Sequence, residues 1–223
     1  MDIFFEDWGT IDYKMALERQ QTLFDHALEN KSKAKPVENR VIFCEHPPVI
    51  TSGKHAKREN ILFSDENLQQ MNVPTVQTMR GGDVTCHVPG QLVVYPILDL
   101  TVFGLGLKRY IAVLEDTVIT LLQEIYNITA GRMPHAAGVW IDAEQPSGAR
   151  KICALGIYCS RFITMHGLAL NVNADLSLFS LINPCGFTDK GVTSIERETG
   201  QLQDINLCKM FLKEMFANKL RIT

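Results

Sequence analysis

Cys185 stands between Pro184 and Gly186, a turn composition that can present a thiol outside regular structure. Cys44, Cys153, Cys159 and Cys208 fall instead inside strand or helix patterns, where a cysteine acts as a small buried hydrophobe. A free thiol of pKa ~8.5 is only a few per cent ionised at neutral pH, so a nucleophilic cysteine needs a fixed cation beside it. A second chemically suggestive stretch is Arg80-Gly81-Gly82-Asp83-Val84-Thr85-Cys86-His87-Val88-Pro89-Gly90-Gln91, which runs straight into an apolar strand beginning at Leu92. Paired glycines let backbone approach a ligand closely, because no Cβ stands in the way. Two tripeptides on predicted strands, Ala154-Leu155-Gly156 and Gly167-Leu168-Ala169, alternate small, large and small. They suit an alkyl chain lying against backbone, and they equally suit tight sheet packing. Burying an alkyl chain in such a slot is worth roughly 0.8 kcal/mol per methylene, enough for chain length to matter. Lys151 follows Arg150 after a polar loop, and by its neighbours alone it reads as a solvated surface charge. His166 lies on a strand whose period-2 pattern places it on the face of Leu168, Leu170 and Val172, half-buried and supporting the site.

Five segments recur in one order: Glu45-His46-Pro47-Pro48, the Arg80–Gln91 loop, Lys151–Gly156, Met165–Asn173 and Asn183-Pro184-Cys185-Gly186. Together they resemble the octanoyltransferase family, which moves an octanoyl group from acyl carrier protein onto lipoyl domains. The resemblance implies that Cys185 is the acyl-thioester nucleophile and that Lys151 lowers its pKa and accepts a proton. It also implies that residues 80–87, Ala154, Leu155, Gly156, Gly167, Leu168 and Ala169 contact substrate, with His87 in a binding or positioning role. The implied donor is octanoyl-acyl carrier protein. The implied acceptors are lipoyl domains of 2-oxoacid dehydrogenase complexes and the glycine cleavage H protein. No cofactor or metal is implied, and no ATP, since a thioester donor is already activated.

This chain departs from the family where Tyr-His-Gly-Pro-Gly-Gln becomes Cys86-His87-Val88-Pro89-Gly90-Gln91, which predicts an altered acyl pocket. Residues 143–150 also form a longer loop than the family's tight turn. Two rival readings remain: an ATP-dependent lipoate or biotin ligase of the same fold, and a non-catalytic scaffold that binds lipoyl domains.

The chain has 223 residues, of which 46% are hydrophobic and 21% charged, so a core forms without disulfides or a structural metal. A net charge of −3 gives a nucleic-acid partner no electrostatic support. The six cysteines contain no Cys-x-x-Cys pair, which argues against a zinc site, and the resemblance implies a cytoplasmic setting in which thiols stay reduced. No apolar run is long enough for a membrane span, and the acidic start does not read as a signal peptide.

The elements that must position these residues follow from periodicity. Helices are predicted over 12–30, from Leu107 to Ile125, and over 204–220. Strands are predicted over 1–8, 40–45, 73–79, 92–98, 138–142, 151–160 and 162–173, with a hairpin turn at 146–148. Residues 54–67 show little periodicity and read as an exposed, mobile connection. The expected fold is α+β: a mixed or largely antiparallel central sheet flanked by helices, as in biotin and lipoate protein ligases. The expected organisation is one domain over 1–223, with 188–223 as a small C-terminal appendage.

Overall fold

In the computed structural model, residues 2–145, 147–183 and 190–220 are described. The main sheet runs β1-β2-β6-β10-β9-β8-β7, built from β1 (Ile3–Thr10), β2 (Asn39–Glu45), β6 (Gln91–Ile97), β10 (Ile163–Asn171), β9 (Arg150–Ser160), β8 (Ala136–Ile141) and β7 (Gly131–Met133). Only the β1–β2 pair along this path is parallel. A short strand β11 (Gly191–Val192) pairs in parallel with Arg150 and Lys151, continuing the place of β10 where that strand's pairing with β9 ends at Cys153. Beside the main sheet lies a three-stranded one, β4-β3-β5, made of β3 (Val49–Ser52), β4 (Thr75–Gln77) and β5 (Val84–His87). This is the expected α+β architecture.

Period-2 alternation divides the main sheet into two apolar faces. Val41, Phe43, Leu92 and Val94 pack with α3 (Leu107–Tyr126) and α5 (Ile205–Lys219), through Leu114, Val118, Leu212 and Phe216. Ile42, Cys44, Val93 and Tyr95 face the other way, toward Ala16 of α1 (Tyr13–Ser32). Helix α1 starts where its sequence says it should. The Asp12 carboxylate accepts from the backbone N–H groups of Lys14 and Met15 at 2.9 and 3.2 Å, satisfying two donors that a helix start leaves open.

Three features differ from the sequence reading. Residues 54–67 are tied down: a 3₁₀ turn spans Arg58–Asn60, Ile61 bridges to Ile182, and α2 (Asp65–Gln70) is capped by Ser64 and buries Leu68. A helix this short shows no periodicity, so its pattern was invisible. The Arg80–Gln91 stretch contains strand β5, paired with β3 from Val49↔His87 to Ser52↔Val84. The third concerns the C-terminal residues. Cys208, Leu212 and Phe216 of α5 are fully buried in the same cluster as the centre of the main sheet, which leaves 205–219 no core of its own. Phe216→Ala should therefore cost about 3–5 kcal/mol in urea unfolding, in one cooperative transition; an independent appendage would leave the main transition unmoved.

Candidate active site

A cavity of about 740 Å³, open mouth included, lies between the α1 face of the main sheet and the small sheet. Its floor is the β9–β10 pair, where Ala169 sits opposite Ala154 and Gly167 opposite Gly156. Leu155 and Leu168 also border the space but pack with the core on the opposite face. The small-large-small tripeptides thus turn their large members away and leave a shallow apolar trough. Gly156 allows a close approach: a Cβ there would stand 3.0 Å from Arg80 Cδ and 3.1 Å from the Gly81 carbonyl oxygen.

Lys151 lines one end of this trough and is only 7% exposed. Burial rules out the solvated-surface reading of this residue. Its ammonium stands 4.6 Å from the centre of the Trp140 ring, a cation–π contact, and its stem passes Gly138, whose missing side chain makes room. Gly138 has φ +128°, and a Cβ there would lie 2.5 Å from the Cys153 carbonyl oxygen. Strand β11 fixes the Lys151 backbone, because Thr193 N–H donates to the Lys151 carbonyl at 3.0 Å. Cys185 lies outside the described residues. The chain before it is held by Asn183 N–H donating to the Asn60 carbonyl at 2.8 Å, and the chain after it returns as β11 beside Lys151.

Burial makes the five described thiols poor nucleophiles. Cys86 is pushed up to about 12, and Cys44, Cys153, Cys159 and Cys208 are likewise raised. Among the described residues no three His, Cys, Asp or Glu side chains group closely enough to hold a metal ion.

The opposite wall is the Arg80 loop. Arg80 is buried and clamps that loop to β3, donating from Nη2 to the Thr51 carbonyl at 2.6 Å and from Nε to Thr51 Oγ1 at 3.2 Å. Asp83 borders the cavity, yet its carboxylate accepts from Lys57 N–H, Val84 N–H and the Asn60 amide, anchoring 57–60. Gly82, Val84 and Thr85 also border the cavity. Gly81 lies instead in a neighbouring groove with His55, Leu107 and His135. Cys86 is the clear exception to the sequence-based set. Alternation along β5 sends Thr85 and His87 to the cavity and turns Cys86 away, fully buried against Ile50, Val88 and Phe179. The departures from the family at 86 and 88 therefore fall in a satellite core, behind the cavity-lining Val84 and Phe179.

His87 is held by a chain of side-chain amides. Asn171 Nδ2 donates to the Thr193 carbonyl at 2.9 Å, so its Oδ1 accepts from Gln91 Nε2 at 2.8 Å, and Gln91 Oε1 accepts from His87 Nδ1–H at 2.7 Å. The carbonyl at the end accepts only, which fixes every orientation and leaves Nε2 of His87 as the lone-pair nitrogen. Tyr13 stacks on His87 with ring centres 5.3 Å apart, and His46 meets the same pair edge-on. His46 donates Nδ1–H to the Ile11 carbonyl and accepts from the Tyr95 hydroxyl, both at 2.7 Å. Burial and the neighbouring His46 bring His87 down to about 3, so its ring is neutral at physiological pH.

His166 does not follow strand alternation. Its φ of +62° breaks the pattern, and the ring emerges on the α1 face, away from the core side of Leu168, Leu170 and Val172. It is fully buried rather than half-buried, at 3% exposure. Burial, with Arg80 nearby, lowers it to about 3.

The sequence reading missed Tyr13, Tyr95, Asn171 and Val192 as cavity residues. Asn171 and Tyr95 lay inside quoted strands, and only strand pairing shows that they reach the site. Tyr13 comes from a helix start remote in sequence, with no local signal.

The three buried histidines set an acid limit. Each has a folded-state pKa below its unfolded value near 6.5, so each contributes stability that is complete above about pH 6.5 and is lost as pH falls below it, toward about 3 for His87 and His166. The urea midpoint should drop between pH 6.5 and pH 4, and His87→Gln should make that drop shallower.

The family described as the lipoyl protein ligase A/B catalytic domain matches residues 12–217. An octanoyltransferase of Parabacteroides distasonis is 50% identical over 95% of this chain and 96% of its own. One from Porphyromonas gingivalis is 48% identical over 95% of this chain, which spans only 43% of that longer protein. In fold, the chain is similar to a bipartite lipoate protein ligase from Thermoplasma acidophilum, solved in a study of an archaeal lipoylation system and its E2 lipoyl domain. The TM-score is 0.72 at 15% identity, over all of this chain and 85% of the other. The chain belongs to the lipoyl protein ligase A/B catalytic-domain family, alongside the octanoyltransferases, and is an acyltransferase.

Proposed function

We propose that the protein transfers an octanoyl group from octanoyl-acyl carrier protein to a lysine ε-amine of lipoyl domains through a thioester on Cys185. The observation that carries this reading is the buried ammonium of Lys151 at the end of an apolar trough lined by Ala154, Gly156, Gly167 and Ala169. Such a slot accepts an alkyl chain, and a buried lysine at its end is suited to exchanging protons with the leaving thiolate and the attacking amine.

The steps balance with these two residues alone. The Cys185 thiolate attacks the donor carbonyl, a new S–C bond forms, and the donor S–C bond breaks. The Lys151 ammonium gives its proton to the departing carrier thiolate and becomes an amine. The incoming lysyl amine then attacks the acyl-enzyme, forming the amide and breaking the Cys185 S–C bond, while Lys151 takes the excess proton. Thiolate and ammonium are restored, and no ATP is consumed. The raised pKa of the described thiols supports Cys185 as the residue that does this, since none of them is ionised at neutral pH. His87, with Nε2 free of its proton, lies along the wall as a hydrogen-bond acceptor for the substrate.

The acceptors follow from the relatives, which are octanoyltransferases, and from the structural neighbour's association with an E2 lipoyl domain. The glycine cleavage H protein belongs to the same acceptor class. Incubation with free octanoate and ATP separates this reading from the ligase: a transferase leaves the lipoyl domain unmodified under those conditions. No helix of the described residues is long and apolar enough to cross a membrane.

Two outcomes are expected. Mixed with octanoyl-acyl carrier protein, the wild type should gain the mass of one octanoyl group and Cys185→Ala none; an adduct on Cys86 or Cys153 would refute the assignment. Lys151→Met should slow iodoacetamide labelling of Cys185 and raise its pH midpoint by about one unit or more, as loss of a cation beside a thiolate requires.

A further inference from the structure

His166 carries a combination that its sequence neighbours do not explain. It is a non-glycine residue in the left-handed region, with φ +62°, inside a regular strand. Its ring is 3% exposed, and neither Nδ1 nor Nε2 has a hydrogen-bond partner. Only the backbone is tied, through its N–H donating to Gln20 Oε1 at 3.2 Å. Buried imidazoles with both nitrogens unpaired are costly, and so is this backbone geometry, so the fold holds the ring here against its local preference.

The ring borders two spaces. On one side is the trough of the active site. On the other is a larger open groove between α1 and the β9–β10 hairpin, lined by the apolar Leu17, Phe24, Leu28 and Met165 and by the polar Glu18 and Gln21. Along β9, Lys151 marks one end of the trough, while His166 pairs opposite Ile157 beyond Gly156. The histidine is therefore the partition at the end remote from the lysine.

We infer that His166 is the specificity-determining gate of the acyl trough: its ring ends the slot for an eight-carbon chain, and its displacement opens a path into the apolar groove for longer saturated chains. No hydrogen bond latches the ring inward, so rotating it breaks none. Turned outward, it meets the polar side chains of the groove, which supply the partners it lacks inside. The bond to Gln20 holds the backbone pivot fixed during that turn. The inference rests on the proposed acyl transfer for its direction, since Lys151 marks the reacting end.

The test compares kcat/KM for octanoyl-, decanoyl- and dodecanoyl-acyl carrier protein in the wild type, His166→Ala and His166→Phe, each first shown folded by its melting curve. His166→Ala should raise the decanoyl-to-octanoyl ratio about tenfold, as two newly accommodated methylenes allow. His166→Phe, which refills the partition, should keep the ratio within twofold of wild type. Adding Leu17→Trp to His166→Ala should restore octanoyl preference by blocking the groove. If His166→Ala does not fold, His166→Ser is read in its place. An unchanged ratio in the folded small-residue variant overturns the gate. If the wild type transfers no octanoyl group at all, the functional reading fails instead. The gate is then decided by melting-temperature shifts with free eight-, ten- and twelve-carbon fatty acids, which should favour the longer chains only in the small-residue variant.

Discussion

The antiparallel register of β9 and β10 is the constraint on which the site depends. It sets Ala154 against Ala169 and Gly156 against Gly167, so that one patch of an otherwise fully packed sheet face carries almost no side-chain volume. Every other feature of the site is placed relative to that patch. A slip by one residue would bring Leu155 and Leu168 into the space and fill it. The close approach of Arg80 to Gly156 then brings the small sheet down as a roof. The main core on the far side, with α3 and α5, holds the register by burying Leu168 and packing against the half-buried Leu155.

The electrostatics of the interior follow one rule: keep the binding wall neutral and place charge at one end. His46, His87 and His166 are all shifted toward the neutral form by burial, and Tyr13 is pushed up to about 12 by the same cause. Arg80 and Asp83 are the charged exceptions on the wall; the guanidinium is engaged with Thr51 and the carboxylate with the backbone of Lys57 and Val84 and the Asn60 amide. An uncharged wall suits an alkyl chain, which loses nothing to competing hydration there, while Lys151 supplies charge where charge develops.

Much of the frame was legible from the sequence because its signals were local. The 3.6-residue stripe of α3, the cap at Asp12 and the alternation of β9 and β10 each follow from a few adjacent residues. Short paired segments were not: β3, β5, β7, β11 and α2 have too few residues to show a period. Lys151 was placed in the site by family resemblance rather than by its neighbours, since a lysine after an arginine and a polar loop carries no mark of burial. Alternation puts His166 on the wrong face because it assumes ordinary backbone, and a single left-handed residue reverses which face a side chain takes. Cys86 shows the complementary limit: a motif reads as a continuous contact surface, whereas a strand offers alternate residues only.

The amide chain from Thr193 to His87 links two things that are usually independent. Thr193 follows directly on β11, and the same residue holds the Lys151 backbone with its N–H and orients Asn171 with its carbonyl. Asn171 sets Gln91, and Gln91 sets which nitrogen of His87 bears the proton. The tautomer of a ring on one wall is thus a readout of whether a short edge strand on the other side is docked. Were β11 to detach, Asn171 would be released to turn over, and only the longer 3.5 Å bond from Gln91 Nε2 to the Cys86 carbonyl would still favour one tautomer of the imidazole. Nitrogen chemical shifts of His87 would register that event directly, giving a spectroscopic reporter of edge-strand order at the lysine end of the trough.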